Sequence, residues 1–199
     1  MLKLKYLMLF ILLVTRTVIS VAQQKGTAAT CQFHSINSIG LLEGSAGSAF
    51  QLQTINGAQY KSWFGGIGLG LDYYRYRTVP FFIDLRKEFG KNANKLFVYS
   101  DLGVNFGWVT DKQKTQYVSD DKFANGFYSD LGFGYKVNLG KNGGLVMSLG
   151  YTYKKVIESY KLPLYLYGNS IYSEPPLNDQ TVKYSYSLNR ITIKIGWEF

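Results

Sequence analysis

The chain has 199 residues, a formal charge of +9, one cysteine and one histidine. That length suits a single domain, and the lone Cys31 and lone His34 exclude an internal disulfide and a His/Cys metal cluster. Aromatic residues make up 17%, with 21 glycines and only 4 prolines, which favours strands with small residues where bulky side chains crowd.

The first segment has the three parts of a secretory signal peptide. Lys3 and Lys5 are basic, Tyr6 to Val14 is apolar, and Ser20-Val21-Ala22 offers small residues for cleavage. The apolar run falls far short of the about 20 residues of a transmembrane helix. Cleavage after Ala22 is expected, so 1–22 leave and a mature chain of 177 residues begins at Gln23. Lys3, Lys5 and Arg16 leave with the signal, three of the nine net charges, so the mature chain carries +6. That excess suits anionic lipid head groups or lipopolysaccharide phosphates, and a solvated surface explains it equally well. A nucleic-acid partner is not expected of an exported chain. Lipidation of Cys31 is disfavoured, because the cysteine lies well past the apolar run.

Residues 23–35 are small and polar and read as a periplasmic lead-in to a barrel over 36–199. Eight strands are predicted: Ile36–Gly44, Ala49–Tyr60, Trp63–Tyr76, Pro80–Phe89, Leu96–Val109, Ala124–Val137, Gly144–Ile157 and Tyr186–Phe199. Most reach the about 9–11 residues a tilted strand needs to cross a bilayer. The connections alternate. Lys61-Ser62, Gly90–Lys95 and Asn138–Gly143 are tight and rich in turn formers, whereas Thr110–Phe123 and Glu158–Ser185 are long. With both ends in the periplasm, an even strand count places both long loops outside.

Period-two alternation is clearest in the last strand. Ile191, Ile193, Ile195, Trp197 and Phe199 share one face, and Thr192, Lys194, Gly196 and Glu198 share the other. The same split recurs in Pro80–Phe89, where Phe81, Ile83, Leu85 and Phe89 oppose Phe82, Asp84, Arg86 and Glu88. Leu96–Val109 sets Leu102, Val104, Phe106 and Trp108 against Asp101, Gly103, Asn105 and Gly107. An eight-stranded lumen is only wide enough to be filled by side chains or to hold one small ligand. The bulky apolar faces do not fit inside it. They must face lipid, while glycines and a few charges fill the interior. Tyr60, Trp63, Phe89, Trp197 and Phe199 then form a periplasmic girdle. Tyr73, Trp108, Phe127, Tyr151 and Tyr153 form an outer one. The fold class is all-β, an eight-stranded antiparallel transmembrane β-barrel.

The polar faces supply Asp72, Asp84, Glu88, Asp101, Asp130 and Glu198, and against them Arg86, Lys136, Lys154, Arg190 and Lys194. Near-balance in a narrow lumen predicts a paired charge network, since an unpaired buried charge is costly. A proton or ion path, or a catalytic acid pair, is the functional alternative. A hydrolase triad lacks its base, because His34 precedes the first predicted strand. Gly66-Ile-Gly-Leu-Gly70 has its third glycine one place early for a nucleotide loop and lies inside a strand. No cofactor and no metal are expected.

Gly70-Leu-Asp-Tyr-Tyr-Arg-Tyr-Arg-Thr-Val-Pro80-Phe-Phe-Ile-Asp-Leu-Arg86, Asn125-Gly-Phe-Tyr-Ser-Asp-Leu-Gly-Phe-Gly-Tyr135 and the closing Arg190–Phe199 resemble a family of small outer-membrane β-barrel proteins. Its porin-like architecture is similar to the OmpA transmembrane domain and OmpX. The resemblance covers most of the mature chain and implies a cell outer-membrane address in a Gram-negative envelope. It also implies that Trp197 and Phe199 serve as an assembly signal read by the outer-membrane insertion machinery. It carries no catalytic residues across. The expected function is non-enzymatic, structural or surface-binding through the outer loops, in a monomer surrounded by lipid and lipopolysaccharide. Two alternatives stay open, a small-solute channel and a lipid-modifying barrel enzyme. The tyrosines of Glu158–Ser185, beside Lys154, Lys155 and Lys161, suit glycan or phosphate contact.

Overall fold

The computed structural model describes residues 31–90, 92–109, 119–140, 143–162 and 180–199, without the side chains of 119–121, 162 and 180. The signal segment and most of the lead-in lie outside the described residues. All regular structure within them is antiparallel strand: β1 Gln32–Gly44, β2 Gly47–Tyr60, β3 Trp63–Asp72, β4 Thr78–Phe89, β5 Lys95–Gly107, β6 Ser119–Ala124, β7 Gly126–Asn138, β8 Gly144–Leu162 and β9 Gln180–Glu198. Each pairs with its neighbour, and β9 returns to pair with β1, so the sheet closes. β6 and β7 are parted only by Asn125 and act as one stave. Ala124 faces Ile157 while Tyr128 faces Lys154, four residues against three, which marks a one-residue bulge. The wall therefore has eight staves.

The stagger of the wall follows from its register. Stepping across directly opposed residues from Gln32 gives Gln59, Phe64, Arg86, Tyr99, Gly132, Gly150 and Thr192, and returns to β1 at Leu42. One circuit climbs ten residues along β1. With eight staves about 4.8 Å apart and about 3.3 Å per residue, the strands tilt by about 40°. Each residue then advances about 2.5 Å along the barrel axis.

The two faces separate as the alternation requires. Ile83 is 66% exposed on the outside while its neighbour Asp84 is fully buried inside. Phe81, Leu102, Leu131, Leu149, Ile193 and Ile195 belong to the same outward apolar band. Inside, large rings lie across glycines on the adjacent stave. Phe82 faces Gly68 on one side and Gly103 on the other, Phe97 faces Gly134, and Tyr99 faces Gly132. A methyl group added at Gly68, Gly132 or Gly134 would collide with the neighbouring ring. The lumen glycines are thus seats for aromatic side chains.

Strand limits differ from the sequence expectation, most of all at β1, at the end of β3 and in the long outer connections. β1 begins at Gln32, so His34 belongs to the wall. β3 ends at Asp72, because the Asp72 carboxylate accepts the Tyr74 N–H at 2.8 Å and turns the chain inward, with Arg75 at φ 57°. Tyr74, expected to continue the strand, is buried in the mouth of the lumen. Part of the long Thr110–Phe123 connection forms β6, which pairs with the outer end of β8. The Glu158–Ser185 connection is shorter than expected, since β8 continues to Leu162 and β9 starts at Gln180. These two strands stand above the rim as a paired arm. Their alternation is tyrosine and polar rather than apolar and polar, which hid it from a reading based on apolar periodicity.

Candidate functional site

The inward face carries all eleven charges expected there, and they fall into three tiers. In the outer tier Asp72 is fully buried. Its carboxylate accepts from Lys154 Nζ at 2.9 Å, from the Arg190 guanidinium and from the Tyr74 backbone. Lys154 spends its other protons on Tyr76 O at 3.0 Å and Thr78 Oγ1 at 3.1 Å. The Arg190 guanidinium lies 5.4 Å from the centre of the Tyr74 ring.

The waist holds three aspartates side by side, Asp84, Asp101 and Asp130, on β4, β5 and β7. Arg86 grips Asp84 through Nε at 2.9 Å and Nη2 at 2.8 Å. Its guanidinium sits 5.4–5.8 Å from the rings of Phe64, Phe97 and Tyr99, a cation–π cage. Lys194 reaches across the lumen from β9 to Asp130 at 3.0 Å and to Gln53 Oε1 at 3.2 Å, with Asp101 at 3.8 Å. Tyr99 donates its hydroxyl proton to Asp130 at 2.9 Å. Gln51 and Gln53 donate to the Tyr128 hydroxyl at 3.1 and 3.0 Å.

The periplasmic tier joins Glu88, Lys95, Lys136, Glu198 and His34. Glu88 accepts from Gln59 at 2.7 Å, Lys95 at 2.8 Å and Lys136 at 3.2 Å. Lys136 also reaches Glu198 at 2.5 Å, and His34 Nδ1 lies 2.9 Å from the same carboxylate. A cup of about 400 Å³ opens beneath this tier, between His34, Lys61 and Lys136.

Several lumen residues escaped the sequence reading. Gln51, Gln53, Tyr99 and Tyr128 lie on polar faces whose charges drew attention first, and His34 was placed outside the wall. The signal was available, because Gln51, Gln53 and Gln59 alternate along β2. Among the described residues no group of three or more His, Cys, Asp or Glu side chains is placed to hold a metal ion.

The outer mouth has a different character. Tyr160 and Tyr184 stack at 5.8 Å between ring centres and Tyr184 and Tyr186 at 6.3 Å, with planes inclined by 27° and 21°. Tyr76 continues the series 5.4 Å from Tyr186, and Phe123 lies 5.3 Å from Tyr76. Arg75 lies 4.7 Å over the Tyr186 ring, and the Tyr186 hydroxyl donates to Glu158 at 3.0 Å. These tyrosines occupy even positions, the face that lower down lines the lumen. Lys155, Lys161 and Lys183 occupy odd positions, so the expected mixture of tyrosine and lysine is divided between two faces of the arm. At the periplasmic rim Trp197 and Phe199 point outward, and Phe199 exchanges backbone hydrogen bonds of 3.0 and 3.1 Å with Ser35.

No protein-family model matches this sequence, and no curated protein matches it. Among solved structures it is similar to the outer membrane protein OprG from Pseudomonas aeruginosa, with 17% identity and a TM-score of 0.48 over 84% of this chain and 95% of that one. It is also similar to the outer membrane protein AlkL in lipid bilayers, with 12% identity and a TM-score of 0.50 over 89% of this chain and 93% of that one. At 12% identity the likeness to AlkL concerns the fold alone. A closed eight-stave wall, apolar outside and charged inside, with aromatic residues at both rims, is an integral outer-membrane β-barrel.

Proposed function

We propose that this barrel is non-enzymatic and acts at the cell surface, binding a glycan through the arm formed by β8 and β9. The observation that carries the reading is the aromatic series Tyr160, Tyr184, Tyr186, Tyr76 and Phe123. Tyr160, Tyr184, Tyr186 and Phe123 are held on paired strands and lose little freedom on binding, and the faces and edges of the rings suit the C–H surfaces of sugars. Tyr184, 46% exposed, is the open rung. The basic opposite face, with Lys155 and Lys183, suits the phosphates of surrounding lipopolysaccharide and would hold the arm against the outer leaflet.

The lumen supports this reading. Acids and cations meet in every tier, across the lumen at Asp72 and Asp130 and along one stave at Asp84, which favours a plugged barrel over a small-solute channel. The test is to replace residues 158–185 by a tight turn. The shortened barrel is expected to fold and to lose the surface phenotype that deletion of the whole protein causes. Full rescue of a deletion strain by the shortened barrel would move the function into the barrel body. Tyr184→Ala should weaken binding of the purified protein to surface polysaccharide, while the barrel still shows its heat-modifiable band.

A further inference from the structure

The outward face is apolar at hydrocarbon depth except in one place. On β1 and β2 the outward residues Ser35, Asn37, Thr54 and Asn56 form two directly opposed pairs, Ser35 with Asn56 and Asn37 with Thr54. Beside them Ala58 opposes Gly65. Asn37 and Asn56 are exposed, and neither side chain has a hydrogen-bond partner among the described residues. Asn56 lies four residues above Tyr60 of the periplasmic girdle and Thr54 six. At about 2.5 Å per residue these are about 10 and 15 Å into the bilayer, within an apolar band about 25 Å tall. No water is available there, and an amide left without a partner in hydrocarbon is costly. The other staves carry Ile, Leu, Val, Phe, Met or a lone serine at this depth. A serine hydroxyl can return its bond to the local backbone more readily than an asparagine amide can.

We infer that this patch is where a second copy of the chain docks in the membrane. The patch is uncharged, and every amide in it both donates and accepts, so it is complementary to itself. Two copies inserted in the same direction are related by an axis along the membrane normal, which brings residues of equal height together. Crossing from Asn37 to Thr54 climbs about 3 Å, and two residues back along β2 to Asn56 descends about 5 Å. The two asparagines therefore differ in height by only about 2 Å. Asn37 of each copy meets Asn56 of the other, twice about the axis. Ser35, Ala58 and Gly65 are small enough to let the two walls approach closely. A soluble protein cannot reach this depth, and a different barrel would need a matching patch that a second copy has by construction. This departs from the monomer expected of the sequence, where the outward faces of the first two strands drew no notice.

Cys31 is exposed at the periplasmic rim next to the patch and is the only cysteine, so it serves as a labelling site. Donor- and acceptor-labelled protein would be reconstituted into phospholipid vesicles over a range of protein-to-lipid ratios. Energy transfer should rise to saturation with the wild-type chain. Asn37→Leu with Asn56→Leu should weaken association by roughly tenfold, the scale of two amide hydrogen bonds in a bilayer. Leu85→Ala, on a distant stave, should leave it unchanged. A heat-modifiable band for each variant separates lost docking from lost folding. Transfer at the level of random collision for the wild type, or equal association of the double variant, would overturn the inference. So would photo-crosslinking from position 37 in native membranes that captures a chain of another mass.

Discussion

Replacing Asp72 by leucine is the sharpest test of the tiered lumen. The carboxylate is fully buried and serves Lys154 at 2.9 Å, Arg190 and the Tyr74 N–H at 2.8 Å. Leucine fills a similar volume but leaves two buried cations facing each other with no anion between them. Breaking a buried ion pair by removing one partner costs about 3–5 kcal/mol, and the orphaned Tyr74 amide adds about 1 kcal/mol. Asp84→Leu makes an internal comparison. It strands only Arg86, which keeps its cage of Phe64, Phe97 and Tyr99, so about 2–3 kcal/mol is expected. Lys154→Met placed on top of Asp72→Leu removes one of the two stranded cations and should recover about half of the loss. Urea unfolding in lipid vesicles, followed by tryptophan fluorescence, measures all three. A loss below about 1 kcal/mol for Asp72→Leu, or no recovery in the double variant, would refute the view that these pairs hold the outer tier together.

Three further outcomes are expected. Deletion of Phe199 should lower outer-membrane levels, read as the amount of heat-modifiable band in membrane fractions, and normal levels would remove its role as an assembly signal. Purified protein in planar bilayers should give no stable conductance, and reproducible single-channel steps would promote the channel reading. Gly132→Val should destabilise the barrel by about 1–3 kcal/mol in urea, because the new side chain meets the Tyr99 ring and the Leu149 carbonyl. An unchanged midpoint would show that the lumen has slack.

Much of the wall was legible in the sequence because strands in a lipid-facing barrel have two chemically opposite faces. Phe81 to Phe89 and Ile191 to Phe199 could hardly be read otherwise. β1 and the lower half of β2 are weaker signals, since Asn37, Thr54 and Asn56 put polar groups where the outward face should be apolar. The inward position of each charge follows from period two alone, but its partner does not. Lys194 meets Asp130 across the lumen because the register sets both at one height, and register is a property of every stave together. The limits that moved, at Asp72 and in the arm, are places where a side-chain hydrogen bond or tyrosine stacking replaced apolar burial.

The seam between β9 and β1 has a consequence for how the chain folds. Ser35 and Phe199 bond to each other from opposite ends of the barrel sequence, and Glu198 ties the last stave to His34 on the first. Every other pairing in the wall joins consecutive staves, with β6 and β7 counted as one. The ring can be assembled hairpin by hairpin, but it cannot be closed until its final residues are present. Until then the growing sheet has two bare edges, β1 on one side and the newest strand on the other, each able to pair with another chain. Closure is therefore one late step with a large loop-closure cost, and the carboxylate of Glu198 is the latch that His34 and Lys136 catch as the ring shuts.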